Sequence, residues 1–148
     1  MKLRLQTDFA LRVLLYLSFV ERKVTVDEIA KAFGISRDHL VKVVQQLATH
    51  GYVQTHPGRG GGITLARAPS SVTVKEVVEC LEGRHGVLDC VESPEVCPME
   101  PGCRLRKLLM KAEAAFYETL GTQTLSELTG KSPRTGGIHN LAIVSPDR

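Results

Sequence analysis

TVDEIAKAFGISRDHLVKVVQQLATHGYVQTHPGRGGGITLA occupies residues 25–66, and its punctuation decides the fold. Thr25 followed by Glu28 has the form of a capping box, in which the threonine caps a helix and the glutamate reaches back to it. The short helix so started runs to Phe33, where Gly34 breaks it. Ser36 is placed to cap the next helix, in which Leu40, Val43, Val44 and Leu47 form one apolar stripe and Gly51 is the stop. Two short alternating runs follow, YVQTH and GITLA, joined by Pro57-Gly58-Arg59-Gly60-Gly61-Gly62. That pattern predicts a β-hairpin with a glycine-rich tip. Upstream, Leu5, Phe9, Val13 and Leu17 recur every four residues, so a helix is expected near residues 7–19. Helix, short helix, tight turn, helix, hairpin is the order of a winged helix-turn-helix, predicted here over residues 1–68. A generic small α+β domain is the competing reading. The Gly34 turn between two capped helices, followed at once by the hairpin, favours the winged form.

Residues 69–130 read as a second, helical unit. Thr73 to Glu76 is another capping box, opening a helix with Val74, Val77, Val78 and Leu81 inward and Gly83 at its end. A cysteine-bearing segment comes next, then a long helix from about residue 104 to 120. Its apolar positions are Leu105, Leu108, Leu109, Ala112, Phe116 and Leu120. Little chain remains to cover that stripe. A second copy of the same helix would cover it, which predicts a symmetric homodimer; packing back on the first helix is the alternative. Thr124 to Glu127 caps a last short helix. Residues 131–148, rich in Gly, Pro, Ser and charge, are expected to be disordered. The fold class is therefore mostly α with a small β-hairpin, a winged helix-turn-helix plus a long dimerisation helix.

A chain of 148 residues with 43% hydrophobic content is long enough to build a core without disulfides. Asp8 and Arg12 interrupt the apolar N-terminal run, so it does not read as a signal peptide. No stretch approaches the ~20 apolar residues of a membrane span. A cytoplasmic protein with no membrane partner is expected, its thiols reduced. Charge is uneven: residues 1–68 hold ten Lys/Arg against five Asp/Glu, and residues 69–148 hold nine against eleven. A basic front and a mildly acidic back suggest that the front meets a polyanion.

In a winged helix-turn-helix, the exposed side of the helix after Ser36 enters the major groove of double-stranded DNA. Ser36, Arg37, Asp38, His39 and Lys42 lie on its first turns. Arg37 can fork onto guanine, and Ser36 or His39 can bond base edges or phosphate. Lys42, with Gln46 further along, is better placed for the DNA backbone. Arg59, between glycines at the wing tip, can enter a narrow minor groove. A solvated polar helix face and an idle hairpin tip are the plain alternatives, and only the order of the motifs argues against them.

The segment CVESPEVCPMEPGC, residues 90–103, holds three of the four cysteines, spaced C-x6-C-x5-C. A redox dithiol would need a closer pair. Structural zinc uses shorter knuckles. An iron–sulfur cluster is wider than one ion and takes ligands spread along a loop. Cys103 opens the long helix, where amides and dipole favour a thiolate. Buried unligated thiols remain the plain reading.

Across residues 1 to about 130 the chain resembles the NsrR-type nitric-oxide-sensing repressors, related to the IscR iron–sulfur regulators. The resemblance is carried by TDFALRVLLYL, DEIAKAFGIS, GRGGGITLA, the LEG before the cysteine segment, CPMEPGCRLRKLL and AFYETLGTQTLSEL. It implies a dimeric winged-helix transcription factor that carries a cluster, commonly [4Fe–4S], with [2Fe–2S] as the other form. It implies Cys90, Cys97 and Cys103 as ligands. The IscR type has a histidine three residues after the last cysteine, where this chain has Arg106. The NsrR type can draw its fourth ligand from an aspartate in the first helix of the partner subunit, and Asp8 matches that position. An intrahelical pair with Arg12 is the other reading of Asp8, and Cys80 and His85 are rival fourth ligands. The function so implied is repression at a palindromic operator, relieved when nitric oxide reacts with the cluster. The alternative is a regulator of the same build that senses redox or iron status. No nucleotide-binding motif or catalytic His/Asp constellation points to an enzyme.

Overall fold

The computed structural model describes residues 3–83, 86–93, 95, 97–99 and 102–130. The expected disordered tail at 131–148, and His85, lie outside them. Among the described residues seven α-helices and one hairpin follow in order: α1 (Leu5–Val20), α2 (Val26–Phe33), α3 (Arg37–Thr49), β1 (Val53–His56), β2 (Gly62–Leu65), α4 (Val74–Glu82), α5 (Asp89–Glu92), α6 (Arg104–Gly121) and α7 (Leu125–Leu128). A single 3-10 turn, Pro69–Ser71, links the hairpin to α4. This is the expected class, mostly helical with one two-stranded sheet.

α1 is the central pillar. It packs against α3, α4, α7 and β2. The predicted stripe of α1 is therefore only partly right. Val13 and Leu17 are buried, but so are Ala10, Leu14 and Tyr16, while Leu5 is 62% exposed. A helix enclosed from several sides buries more than one stripe, and in its first turn Thr7 is buried while Leu5 stands outside the core.

Thr25 caps α2 by accepting from Glu28 N at 3.1 Å. Only half the expected box forms. The Glu28 carboxylate instead receives the buried Tyr16 hydroxyl at 2.8 Å and the charged Arg22 guanidinium at 3.1 Å, the one enclosed and the other a stronger donor than an exposed amide. Gly34 ends α2 at φ 63°, a left-handed turn that sends the chain into α3. Ser36 holds the N-cap position of α3, but its side chain makes no capping bond.

β1 and β2 pair antiparallel with Val53 opposite Leu65 and His56 opposite Gly62. Val24 adds a one-residue third rung, exchanging both amide bonds with Ile63 at 3.1 and 2.7 Å. The wing is thereby stitched to the segment that precedes α2. At its tip Gly61 N donates to Gly58 O at 3.0 Å. A Cβ at Gly61 would lie 2.2 Å from His56 O, so the turn closes this tightly only around glycine.

Both later capping boxes form completely, Thr73 with Glu76 on α4 and Thr124 with Glu127 on α7. The two helix starts are tied side by side: Val74 N donates to Gln123 O and Leu125 N to Val72 O. One contiguous core runs from α1 through α2, α3, the hairpin and α4 to Leu125 of α7. α5 and α6 contribute no buried residue to it.

Candidate nucleic-acid interface and cysteine segment

α3 meets the core through Leu40, Val43, Val44 and Leu47, each at most 4% exposed. Its opposite side carries Ser36, Arg37, Asp38, His39 and Lys42, all exposed, as the stripe predicted. Arg37 Nε lies 3.0 Å from Asp27 Oδ1 on α2, so an ion pair across the turn holds the guanidinium. At the 60% exposure of both side chains the pair contributes little stability, about 0.2–1 kcal/mol, but it orients the fork. His39 sits beside the ring of Phe9 on α1, with centroids 6.4 Å apart. Leu5, Gln6, Phe9, His39, Lys42 and Val43 line a 270 Å³ cleft there. The pairings of Asp27 with Arg37 and of Phe9 with His39 escape a sequence reading because each joins two different helices. Gln46 is half-buried with Oε1 enclosed and unpartnered, so it is less available to a phosphate than its helical position suggested. Arg59 is exposed at the wing tip, flanked by Gly58 and Gly60 at φ 90° and 72°.

The cysteines lie on the other half of the chain. Cys90 is in α5, Cys97 in the connection after it, and Cys103 at the N-cap of α6. The short helix α5 has no signal in the sequence beyond Asp89 in its first turn. All four cysteines are free and half-buried. Cys103 Sγ accepts from Arg106 N at 3.4 Å, so its side chain caps the first turn of α6. Arg106 then reaches across: Nε donates to Cys90 O at 2.7 Å and Nη2 to Val91 O at 3.3 Å. The residue that stands where a histidine ligand would be expected is thus the tie between the first and last cysteines of the segment.

Among the described residues no three His, Cys, Asp or Glu side chains are gathered as a metal-holding group. Arg106 links the Cys90 turn to the helix start at Cys103, and Cys97 lies on the connection between them, without a closed ligand cage. As a donor set the three thiols fit a soft, thiophilic group: reduced sulfurs, one of them at an eighteen-residue helix's N-terminus. Asp8 is on α1, in the DNA-binding half. Its Oδ1 is 2.9 Å from Arg12 Nε, the i, i+4 pair, and the Arg12 guanidinium lies 5.8 Å from the Phe33 ring centroid. Cys80 is on α4, packed against the core beside Tyr52. The Tyr52 phenol is pushed up to about 12, first by burial and then by Cys80 and Glu76. Its hydroxyl donates to Glu76 O at 3.2 Å.

Along α6 the predicted apolar stripe divides. Leu109, Phe116 and Leu120 are half-buried on a helix that packs against α4, whereas Leu105 and Leu108 are 58% and 63% exposed. Among the described residues no helix is long and apolar enough to cross a membrane.

Comparison with known proteins places these features. The Rrf2 family, described as an iron-dependent transcriptional regulator, matches residues 3–131. The chain is 40% identical over 131 residues to the HTH-type transcriptional regulator NsrR of Geobacillus kaustophilus, covering 86% of this chain and 89% of that one. It is 37% identical over 143 residues to protein aau3 of Rhizobium meliloti, covering 95% and 93%. Among solved structures it is similar to CymR, the global cysteine regulator of B. subtilis, with a TM-score of 0.74 at 22% identity, covering 89% of this chain and 98% of that one. That last likeness concerns the fold alone.

Proposed function

The chain belongs to the Rrf2 family of transcriptional regulators, and from that premise we propose that it is an NsrR-type repressor whose operator affinity is set by an iron–sulfur cluster reacting with nitric oxide. It is a regulator and not an enzyme. The observation that carries the proposal is Arg106, which fastens the Cys90 turn to the helix that Cys103 caps. Cys90, Cys97 and Cys103 would hold the cluster, [4Fe–4S] in preference to [2Fe–2S], with Asp8 of the partner subunit completing the set. Bound there, the cluster would supply a nitric-oxide-reactive centre, most open where a hard carboxylate replaces a soft thiolate.

The chain's own residues do the rest. Asp8 has a second partner within its helix, Arg12 at 2.9 Å. A carboxylate released from the partner's cysteines is therefore taken up on α1 rather than left unpaired. α1 packs on α3, so a change at Asp8 is felt by the helix that presents Arg37, His39 and Lys42. Two such helices related by a two-fold axis read a palindromic operator. The exposed Leu105 and Leu108 on α6 support a homodimer built through that helix. Salt-dependent affinity for a palindromic site is expected from the basic front half.

The family's description as iron-dependent supports a second reading, in which the same architecture reports iron or redox status. Gel-shift titration of anaerobically purified, iron-loaded protein separates the two. Loss of operator affinity on adding nitric oxide is expected. Equal affinity before and after would overturn the proposal, and a response to iron removal alone would favour the second reading.

A further inference from the structure

α1 and α4 end on each other. Arg4 N donates to Glu82 Oε1 at 2.8 Å and Arg4 Nε to Glu82 Oε2 at 2.9 Å. Arg4 Nη2 donates to Leu81 O at 2.8 Å and to Glu82 O at 2.5 Å. The exchange is reciprocal. Glu82 supplies a carboxylate to the unsatisfied amide at the start of α1, and Arg4 supplies a cation to the unsatisfied carbonyls at the end of α4. The Glu82 side chain is 16% exposed, so the pair is partly shielded from water.

Its position matters more than its strength. Glu82 is the last residue of α4, and after Gly83 the chain runs on toward Cys90. Arg4 is the N-cap of α1, and its carbonyl receives Thr7 N at 3.0 Å and Asp8 N at 3.1 Å. One residue further, Phe9 meets His39 on α3. A continuous path thus joins the root of the cysteine segment to the DNA-facing helix: Glu82, Arg4, the first turn of α1, Phe9, His39. α3 packs on α1 as well; in the first turn of α1 Thr7 is buried while Leu5 is 62% exposed, and the Arg4–Glu82 contacts fix that turn to α4.

We infer that Arg4 is a positioning residue that couples the state of the cysteine segment to the recognition helix by clamping the first turn of α1 to the last turn of α4. The inference rests on the cluster-controlled repressor reading and specifies how the signal crosses within one chain.

The experiment compares wild type, Arg4→Gln, Glu82→Gln and the exchange Arg4→Glu with Glu82→Arg, all as full-length, anaerobically purified protein. Iron and sulfide content, thermal midpoint, operator affinity with and without nitric oxide, and hydrogen exchange of the α1 first-turn amides are measured on each. Wild type is expected to show a ratio of affinities in the usual range of allosteric coupling, about 5–150-fold. A flat wild type sinks the functional reading itself. Given a responsive wild type, Arg4→Gln and Glu82→Gln are expected to keep full iron content and operator binding but to bring the ratio to within about twofold of unity. They are also expected to exchange the first-turn amides faster, and the exchanged pair to recover both properties. Variants with a lowered thermal midpoint and an unchanged ratio would mark the clamp as structural only and overturn the inference, as would loss of iron from either single variant.

Discussion

The DNA-binding half and the cysteine half are built to different degrees of completion. In residues 3–83 every element gives side chains to one core: Val13, Leu14, Ile29, Leu40, Leu47, Val77 and their neighbours are almost wholly enclosed. Among the described residues of 86–121 no side chain is fully buried, although α6 alone is eighteen residues long. Leu88, Met99, Leu105, Leu108 and Met110 are all exposed there. A single chain therefore closes the core of its first half by itself and leaves apolar side chains on the surface of its cysteine half. An open apolar surface is where a partner would bind, in keeping with the proposed homodimer. On that proposal stability and signalling are placed on different residues, so substitutions should separate them.

The largest effect on folding is expected in the closed half. Leu14→Ala removes a fully buried side chain from α1 and should cost about 2–5 kcal/mol in denaturant unfolding. A loss below 1 kcal/mol there would erase the contrast. Thr73→Ala removes the cap of α4 and half of a completed capping box, with an expected cost of about 1 kcal/mol. A smaller, pH-dependent effect is expected at Glu28. The hydrogen bond from Arg22, opposed by burial and reinforced by Tyr16, holds its carboxyl below the usual 4.5. A depressed carboxyl contributes stability that is present above its unfolded value and lost as pH falls through the folded one. Glu28→Gln should therefore lower the thermal midpoint at neutral pH, and the gap to wild type should close below about pH 4.5. The smallest effect on the subunit fold is expected at Leu108→Ala on α6, within about 0.5 kcal/mol when unfolding is measured under dissociating conditions. The same substitution should raise the dimer dissociation constant in sedimentation experiments. A Leu108→Ala protein that unfolds early and associates normally would reverse the proposed division.

Much of the reading head was legible because its signals are local. Thr73 with Glu76, Thr124 with Glu127, the Gly34 break and the glycine-rich hairpin each act within a few residues, where backbone geometry and hydrogen-bond reach leave little choice. The apolar spacing of α3 assigned both its buried and its exposed sides for the same reason. The misses are long-range. Glu28 forms half a box because Tyr16, twelve residues away in the chain, offers a buried hydroxyl. Val24 becomes a strand rung only when Ile63 arrives. Leu5 leaves the predicted stripe of α1 because its side of the first turn opens on the cleft toward His39 and Lys42 and stays 62% exposed.

In the candidate site the division is similar. Residue type and spacing alone singled out Cys90, Cys97, Cys103, Arg37, His39, Lys42 and Arg59, since thiols in a short segment and cations on a polar helix face are visible without coordinates. Which groups meet across elements was decided by tertiary structure: Arg106 with Cys90 O, Asp27 with Arg37, and Arg4 with Glu82. Sequence determines elements because caps and periodicity are short-range; it leaves pairings between elements open, because these depend on how helices distant in the chain come to lie against each other.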